Sequence, residues 1–371
     1  MTAEIIKIAE KALETELFAT AIYSYFAERY PEKTTSKTFA EMVEMEKWHS
    51  NFWTEFLKVR GVDKTMLKSS DFRLTLYKVM FRLIGKGLTL RMMETSENQA
   101  VELYSSIIED SSLSAAERQS LGKILEDELV HEKLFLKEES KFEGVIAYIK
   151  DAVLGLNDGV VEILSVTTGL AGASGSPMIV AISGLVVTIA GGLSMGISIY
   201  SGSRAQRQVH EGILRRIASA SKFVAHIFRE RVSSHLENRG YSKRVAGDMA
   251  EESARDHRLL SRFIAEEEYG IREESLGNPV KASLYAGSAN IVGSLIPLLP
   301  YFFTPDIFTA LILSVVLAAL ALAVTGYLVA ILGYMSPGKK IGEIVLSGLG
   351  AAAVTYVIGR AVAALLGTGH P

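Results

Sequence analysis

A chain of 371 residues exceeds a typical single domain, so two or more folding units are expected, and its net charge is close to neutral at −3. It contains no cysteine. Disulfides, thiolate metal sites and iron–sulfur clusters are thereby excluded, and any transition-metal chemistry falls to Glu, Asp, His and Met.

The overall mean hydropathy of +0.23 conceals a sharp division. Residues 1–150 carry 21 basic and 25 acidic residues and no apolar run that approaches the ~20 residues needed to cross hydrocarbon. The start, Met1 to Glu16, is amphipathic and acidic and does not read as a signal peptide. From Glu4 to Tyr30 apolar residues recur at helical spacing, and Pro31 with Thr34, Thr35 and Ser36 closes this helix and opens the next, from about Ser36 to Gly61. A crossover through Leu67 to Lys86 is expected, then a third helix from Thr89 to Ser111. The fourth runs from Ala115 to Lys141, with Ser114 as N-cap and Glu117 as its capping-box partner. This is the pattern of a four-helix bundle with one long middle connection.

The halves of that bundle match. Glu16 and Tyr23 lie on the first helix and Glu46-Lys-Trp-His49 on the second; Glu97 and Tyr104 lie on the third and Glu128-Leu-Val-His131 on the fourth. Glu and His three residues apart project from one helix face, so the four helices can turn four Glu and two His onto one point. One E-x-x-H is uninformative, because chance predicts about 0.6 in this chain. Two in register, each with a lone Glu and a Tyr seven residues further on, suit a di-iron site in which carboxylates bridge, each imidazole caps one metal and the tyrosines bond the carboxylates.

Glu16-x6-Tyr23, Glu46-x2-His49, Glu97-x6-Tyr104 and Glu128-x2-His131 resemble the rubrerythrin branch of the ferritin-like family. The resemblance implies Glu16, Glu46, Glu97 and Glu128 as terminal or bridging ligands of iron, with Mn or Zn as substitutes, and His49 and His131 as nitrogen ligands. It adds Glu94 as a candidate seventh ligand. The rubredoxin module that rubrerythrins usually append needs cysteines, so a rubredoxin-type peroxidase cycle is not expected.

After Lys150 five stretches read as spanning helices: 152–173, 178–200, 282–303, 307–334 and 341–366. Between the second and third lies a helical insertion, 203–281, with 15 basic and 12 acidic residues and breaks near Gly240 and Gly270. The hairpin at 174–177 and the link at 304–306 carry no Lys or Arg, so the positive-inside rule places the N-terminal domain and the insertion in the cytosol and the C-terminus outside. Asp158 and Glu162 share one face of the first span, where a carboxylate costs at least ~2.5 to 3.5 kcal/mol, so a functional cavity is expected. Met195, in a Gly- and Ser-rich second span, supplies a soft donor beside them; pairing of both acids with Arg360 is the structural alternative.

Gly155-Leu-Asn-Asp-Gly159 and Gly191-Gly-Leu-Ser-Met195, supported by Asn278-Pro-Val-Lys-Ala282 and Leu295-Ile-Pro-Leu-Leu-Pro300, resemble the vacuolar iron transporter family over about Asp151 to Gly367. That resemblance implies a homodimer moving Fe²⁺ or Mn²⁺ out of the cytosol in exchange for protons, with Asp158 and Met195 on the path; Glu162 is added from its spacing. In the family the insertion binds metal through Glu and Met. Here Arg215, Arg216, Arg229 and Arg231 thin the match, leaving Glu230, Glu237, Glu266, Glu267 and Glu268 as candidates, and a solvated charged face is the simpler reading.

The expectation is thus an all-α protein in a bilayer: a ferritin-like domain over 1–150 and a five-helix membrane domain over 151–371, resembling the membrane-bound ferritins. Its expected partners are ferrous iron, protons, lipid and a second copy, with no nucleic acid, in a prokaryotic plasma membrane. A membrane-anchored di-iron oxidase or peroxidase is the competing reading, and ferroxidase activity fits either.

Overall fold

The computed structural model describes residues 2–29, 33–62, 71–140, 143–271 and 277–366. They form thirteen helices and, among the described residues, no strand. The chain divides into two compact units, residues 1–146 with 329–337, and residues 147–328 with 338–371.

In the first unit, α1 (Thr2–Arg29) packs chiefly on α2 (Lys33–Val59), and α3 (Asp71–Ile107) on α4 (Ala115–Ser140). Pro31 lies outside the described residues, but Ser36 donates to the carbonyl of Ala27 at 2.6 Å and ties the start of α2 to the end of α1. After α2, Gly61 takes φ +77°, a left-handed conformation that suits glycine at a helix C-terminus. Residues 71–86, expected as part of the crossover, are instead helical and lie in the first half of the 37-residue α3. Gly85 and Gly87 each weaken a helix by only about 1 kcal/mol, too little to break one this long. Residues 67–70 of the crossover lie outside the described set. The capping box of α4 is present: Ser114 N–H donates to Glu117 at 2.8 Å and Glu117 N–H to Ser114 Oγ at 3.2 Å.

Two apolar layers fill this bundle. Leu13, Trp53, Ala100 and Ile124 belong to one, and Phe18, Val43, Met93 and Phe135 to the other. On every helix the switch between layers falls at the carboxylates: Glu16, Glu46, Glu97 and Glu128 lie in sequence between a residue of one layer and a residue of the other.

Apart from residues 143–146, 329–332 and 337, which belong to the first unit, the second unit contains α5 (Glu143–Ala173), the 45-residue α6 (Pro177–Ser221), α7 (Ala225–Asn238), α8 (Lys243–Ala254), α9 (His257–Tyr269), α10 (Pro279–Leu298), α11 (Pro300–Phe303), α12 (Ile307–Leu332) and α13 (Pro337–Leu366). α6 carries the second expected span directly into the insertion. There Ile217 packs with Phe228, Val232, Leu236, Leu260 and Ile264 of α7 and α9. Gly240 and Gly270, at φ +96° and +64°, end α7 and α9 where breaks were expected.

Among the described residues four helices are long and apolar enough to cross a membrane: 146–173, 177–221, 307–332 and 337–365. The third of the five expected spans is not among them. α10 is only 20 residues long, is diluted by Ser283, Ser288, Asn290 and Ser294, and ends between Pro297 and Pro300, where α11 takes over. Along α12, Phe308, Ile312, Val316, Leu320 and Val324 form a stripe in which every side chain is at least half exposed. Such a surface is unfavourable in water and suited to hydrocarbon.

Candidate metal sites

The carboxylate layer of the bundle brings together six side chains. Glu16, Glu46, Glu97, Glu128, His49 and His131 are each no more than 5% exposed, and their ligand atoms fall into two groups. One group is Glu16, Glu46, His49 and Glu128; the other is Glu46, Glu97, Glu128 and His131, and within each the ligand atoms lie within 4.8 Å of one another. Glu46 and Glu128 belong to both, the arrangement expected of bridging carboxylates. Nδ1 of His49 faces Glu128, Glu16 and Glu46 at 3.4, 3.6 and 3.6 Å. Nδ1 of His131 faces Glu46, Glu97 and Glu128 at 3.2, 3.7 and 3.7 Å.

The two tyrosines cross between halves. Tyr23 donates to Glu97 and Tyr104 to Glu16, so each end carboxylate is steered by the opposite half of the repeat. Burial, then the neighbouring carboxylates, pushes the Tyr104 hydroxyl well up, which keeps it a donor.

Charge in this layer is unevenly held. Burial first, then the charge of Glu46, raises Glu16 well above the ordinary carboxylate range; burial and Glu128 do the same to Glu97. Burial also opposes ionisation of Glu46 and Glu128, but the surrounding protons outweigh it: Glu16, His131 and His49 hold Glu46 well down, and Glu97 with the two imidazoles holds Glu128 down. Burial disfavours the charged form of His49, yet Glu128, Glu16 and Glu46 win and push it up to about 12; His131 is raised in the same way. Protonated imidazoles thus supply the positive charge that a metal pair would otherwise bring.

The donor set fits such a pair. Both carboxylate oxygens of Glu46, Oε2 of Glu128 and Nδ1 of both histidines are buried without a hydrogen-bond partner and converge on one another. Five buried polar atoms without a hydrogen bond are costly in a protein alone, and cations bound among them would remove that cost. A small cavity of about 30 Å³ abuts Glu16, Glu46, Glu97, Glu128 and Tyr23, room for roughly one water-sized molecule.

Glu94 is buried but joins neither group; its Oε2 accepts from Tyr334 at 2.8 Å, within the first unit. Two residues not anticipated from the sequence contact the outer nitrogens of the histidines. Asp127 Oδ2 lies 3.3 Å from His49 Nε2, and Met45 Sδ lies 3.2 Å from His131 Nε2. Each directly precedes the Glu of an E-x-x-H, a register that marks both in the sequence.

In the second unit, Asp158, Glu162 and Met195 line one groove of about 580 Å³ with Gly191, Ser194 and Ser198. A Cβ on Gly191 would come within 2.6 Å of Glu162 Oε2, so this glycine leaves room for the carboxylate. Asn290 of α10 was also missed. It is fully buried, and its Nδ2 donates to Asp158 Oδ2 at 3.4 Å. The register depends on Gly159, where a Cβ would be 2.1 Å from the Asn290 carbonyl. Arg360 lies beside Gly172, nearly three turns along α5 from Glu162, so the expected alternative of a structural ion pair does not form with these acids.

The candidate carboxylates of the insertion are scattered. Glu267 contacts Arg239 and lies 3.8 Å from His235, Glu268 pairs with Arg231, and Glu237 accepts from Ser233 at 3.3 Å. Glu230 lines one cavity with His235 and Glu268, whereas Glu266 lines another with Lys222, Arg258 and Arg262. Among the described residues they form no group of three close ligand atoms.

Comparison with known proteins agrees with this division. A rubrerythrin profile matches residues 7–139, and a VIT family profile matches residues 149–360. Vacuolar iron transporter 1 of Tulipa gesneriana is 24% identical over 231 residues, 62% of this chain and 94% of that protein. Protein CCC1 of Saccharomyces cerevisiae is 27% identical over 221 residues, 57% of this chain and 68% of that protein. Vacuolar iron transporter 2 of Oryza sativa subsp. japonica is 27% identical over 182 residues, 48% of this chain and 73% of that protein. With more than half of its length matched, and with a rubrerythrin domain ahead of the matched region, the chain belongs to the VIT family.

Proposed function

We propose that the protein exports Fe²⁺, with Mn²⁺ as a second cargo, from the cytosol across a prokaryotic plasma membrane, and that its N-terminal bundle captures the metal as a di-iron centre. The observation that carries the transport reading is the groove of Asp158, Glu162 and Met195 among apolar helices. Carboxylate oxygens with a thioether are donors for a divalent transition metal. The iron transporters among its relatives support the same cargo.

Asp158 is exposed in the single chain, and an uncovered carboxylate at bilayer depth costs several kcal/mol. A second copy covering this groove removes that cost, which favours a homodimer with the path near its interface. Proton exchange fits a path lined by carboxylates, since each cation that leaves can be replaced by protons. The bundle, with both histidines and four acids converging, is the better metal receiver; the insertion has its Glu267 and Glu268 engaged by arginines. Bound iron would supply redox chemistry there, and Tyr23 and Tyr104 would orient the end carboxylates.

The test is Fe²⁺ flux in proteoliposomes under an imposed pH gradient, with the full chain, Asp158→Ala, and a version lacking the first 150 residues. Wild type is expected to move Fe²⁺ in a gradient-dependent way and Asp158→Ala to lose flux while keeping the iron of the bundle. Undiminished flux in Asp158→Ala removes the assignment. The small cavity beside the carboxylates favours one competing reading, a membrane-anchored di-iron oxidase or peroxidase. That reading requires O₂ or peroxide consumption in a protein without metal flux.

A further inference from the structure

The two metal positions of the bundle are matched in almost every respect. Each has a lone Glu and a His from its own half, shares Glu46 and Glu128, and has its end carboxylate held by the opposite half's tyrosine. Both imidazoles are fully buried and both turn Nδ1 inward. The clear break in the pattern among the atoms touching these ligands is on the outer side of the rings. Where the first half offers Met45, the second offers Asp127, at the same register one residue ahead of the E-x-x-H.

We propose that this difference makes the two positions unequal: the one built on Glu16 and His49 is the tight, retaining position, and the one built on Glu97 and His131 is the loose, exchangeable one. The proposal rests on the di-iron reading and deepens it. A histidine that ligates through Nδ1 must carry its remaining proton on Nε2. For His49 that proton points at the carboxylate of Asp127, 3.3 Å away, which fixes the ring, selects the tautomer and makes Nδ1 more basic. For His131 it points at the thioether sulfur of Met45, 3.2 Å away, a weak acceptor with no charge to lend. The anionic partner also favours the more highly charged ion at the His49 position.

Glu94 does not restore the balance. Its counterpart in the first half is Leu13, and its carboxylate is occupied by Tyr334 rather than by either group. The functional consequence is a division within one centre. A retaining ion keeps Glu46 and Glu128 in place, and the neighbouring ion enters and leaves.

The experiment is an anaerobic Fe²⁺ titration of the full chain in detergent, followed by calorimetry and by dialysis against a chelator. A Glu46→Ala/Glu128→Ala double variant reports the ions bound elsewhere in the chain. Wild type is expected to bind two further ions in two resolved steps. Asp127→Asn keeps shape and volume at a position whose side chain is 19% exposed, so the fold survives. It is expected to weaken the tight step by roughly 10- to 100-fold and draw the two together. Met45→Asp draws them together from the other side by tightening the loose step. Two equal steps in wild type, or an Asp127→Asn titration that is unaltered or weakened equally in both steps, overturn the inequality and leave the di-iron reading standing. Fewer than two ions above the double variant overturn both.

Discussion

The bundle and the groove of the membrane unit place acidic side chains in opposite settings. In the bundle, six ligands no more than 5% exposed converge between two apolar layers beside a cavity of only about 30 Å³. In the membrane unit, Asp158 is exposed, Glu162 is partly buried, and the groove they share with Met195 measures about 580 Å³. The first arrangement suits a site that holds a metal, since five of its inward-facing donor atoms are buried without a hydrogen bond. The second offers fewer and less constrained donors, which suits a site that must release what it binds. On the proposed reading, retention and passage differ in the burial of the carboxylates as well as in the His or Met that accompanies them.

The largest effect that can break this comparison is on the holding side. Glu46→Ala with Glu128→Ala removes the two carboxylates common to both groups, so bound iron in the bundle should fall from two ions to none by elemental analysis; retention of both would refute the ligand set. On the passing side, Asp158→Ala should lower Fe²⁺ flux by at least the roughly 10- to 100-fold that even an outer partner of a metal ligand is worth. Flux should fall while the bundle's iron content stays unchanged.

Proton linkage sharpens the contrast. Because His49 is held up at about 12 and Glu16, Glu97 and His131 are raised, the metal-free bundle keeps protons at neutral pH that a metal must displace. Fe²⁺ binding in weak buffer at pH 7 should therefore release protons, and affinity should rise with pH. A titration without proton release would remove the protonated-imidazole account. Smaller effects should follow Asn290→Leu and Gly191→Ala, which leave the acids in place and disturb only their setting. A several-fold rise in the Fe²⁺ concentration for half-maximal flux is expected, with bundle iron unaltered.

The smallest effect belongs to Glu117, which caps α4 and pairs with Arg60 at 2.7 Å. Glu117→Ala should cost about 1 kcal/mol by denaturant unfolding of the bundle. The bond from Arg60 depresses Glu117 to about 2, so its contribution is complete above its unfolded value near 4.5 and disappears as the pH falls through 2. An unaltered unfolding midpoint for the variant would show that α4 does not need its cap.

Much of this molecule could be read from spacing alone. The lone Glu, Tyr and E-x-x-H of each half are a periodic signal, because i, i+3 and i, i+7 on a helix are one face whatever the surroundings. Asp158 and Glu162 stand out because charge within a long apolar run is expensive wherever that run lies. The helical start of α3 at Asp71 was hidden, since a helix can carry Gly85 and Gly87 when its packing compensates for them. Asp127 and Met45 sit at a readable register beside each E-x-x-H, but what they do there, like the role of Asn290, comes from partners 78, 86 and 132 residues away.

The sequence by itself determined the paired Glu, Tyr and E-x-x-H of each half, which face of each helix they share and four of the five segments read as apolar enough for lipid, because these follow from composition and from the fixed 3.6-residue turn. Only the tertiary structure decided that Glu46 and Glu128 are common to both metal groups, that the tyrosines cross between halves, that Glu94 bonds Tyr334, and that one histidine is backed by a carboxylate and the other by a thioether. Those outcomes depend on distances between helices, which the packing of Trp53, Phe135 and their layers sets and which local periodicity does not encode.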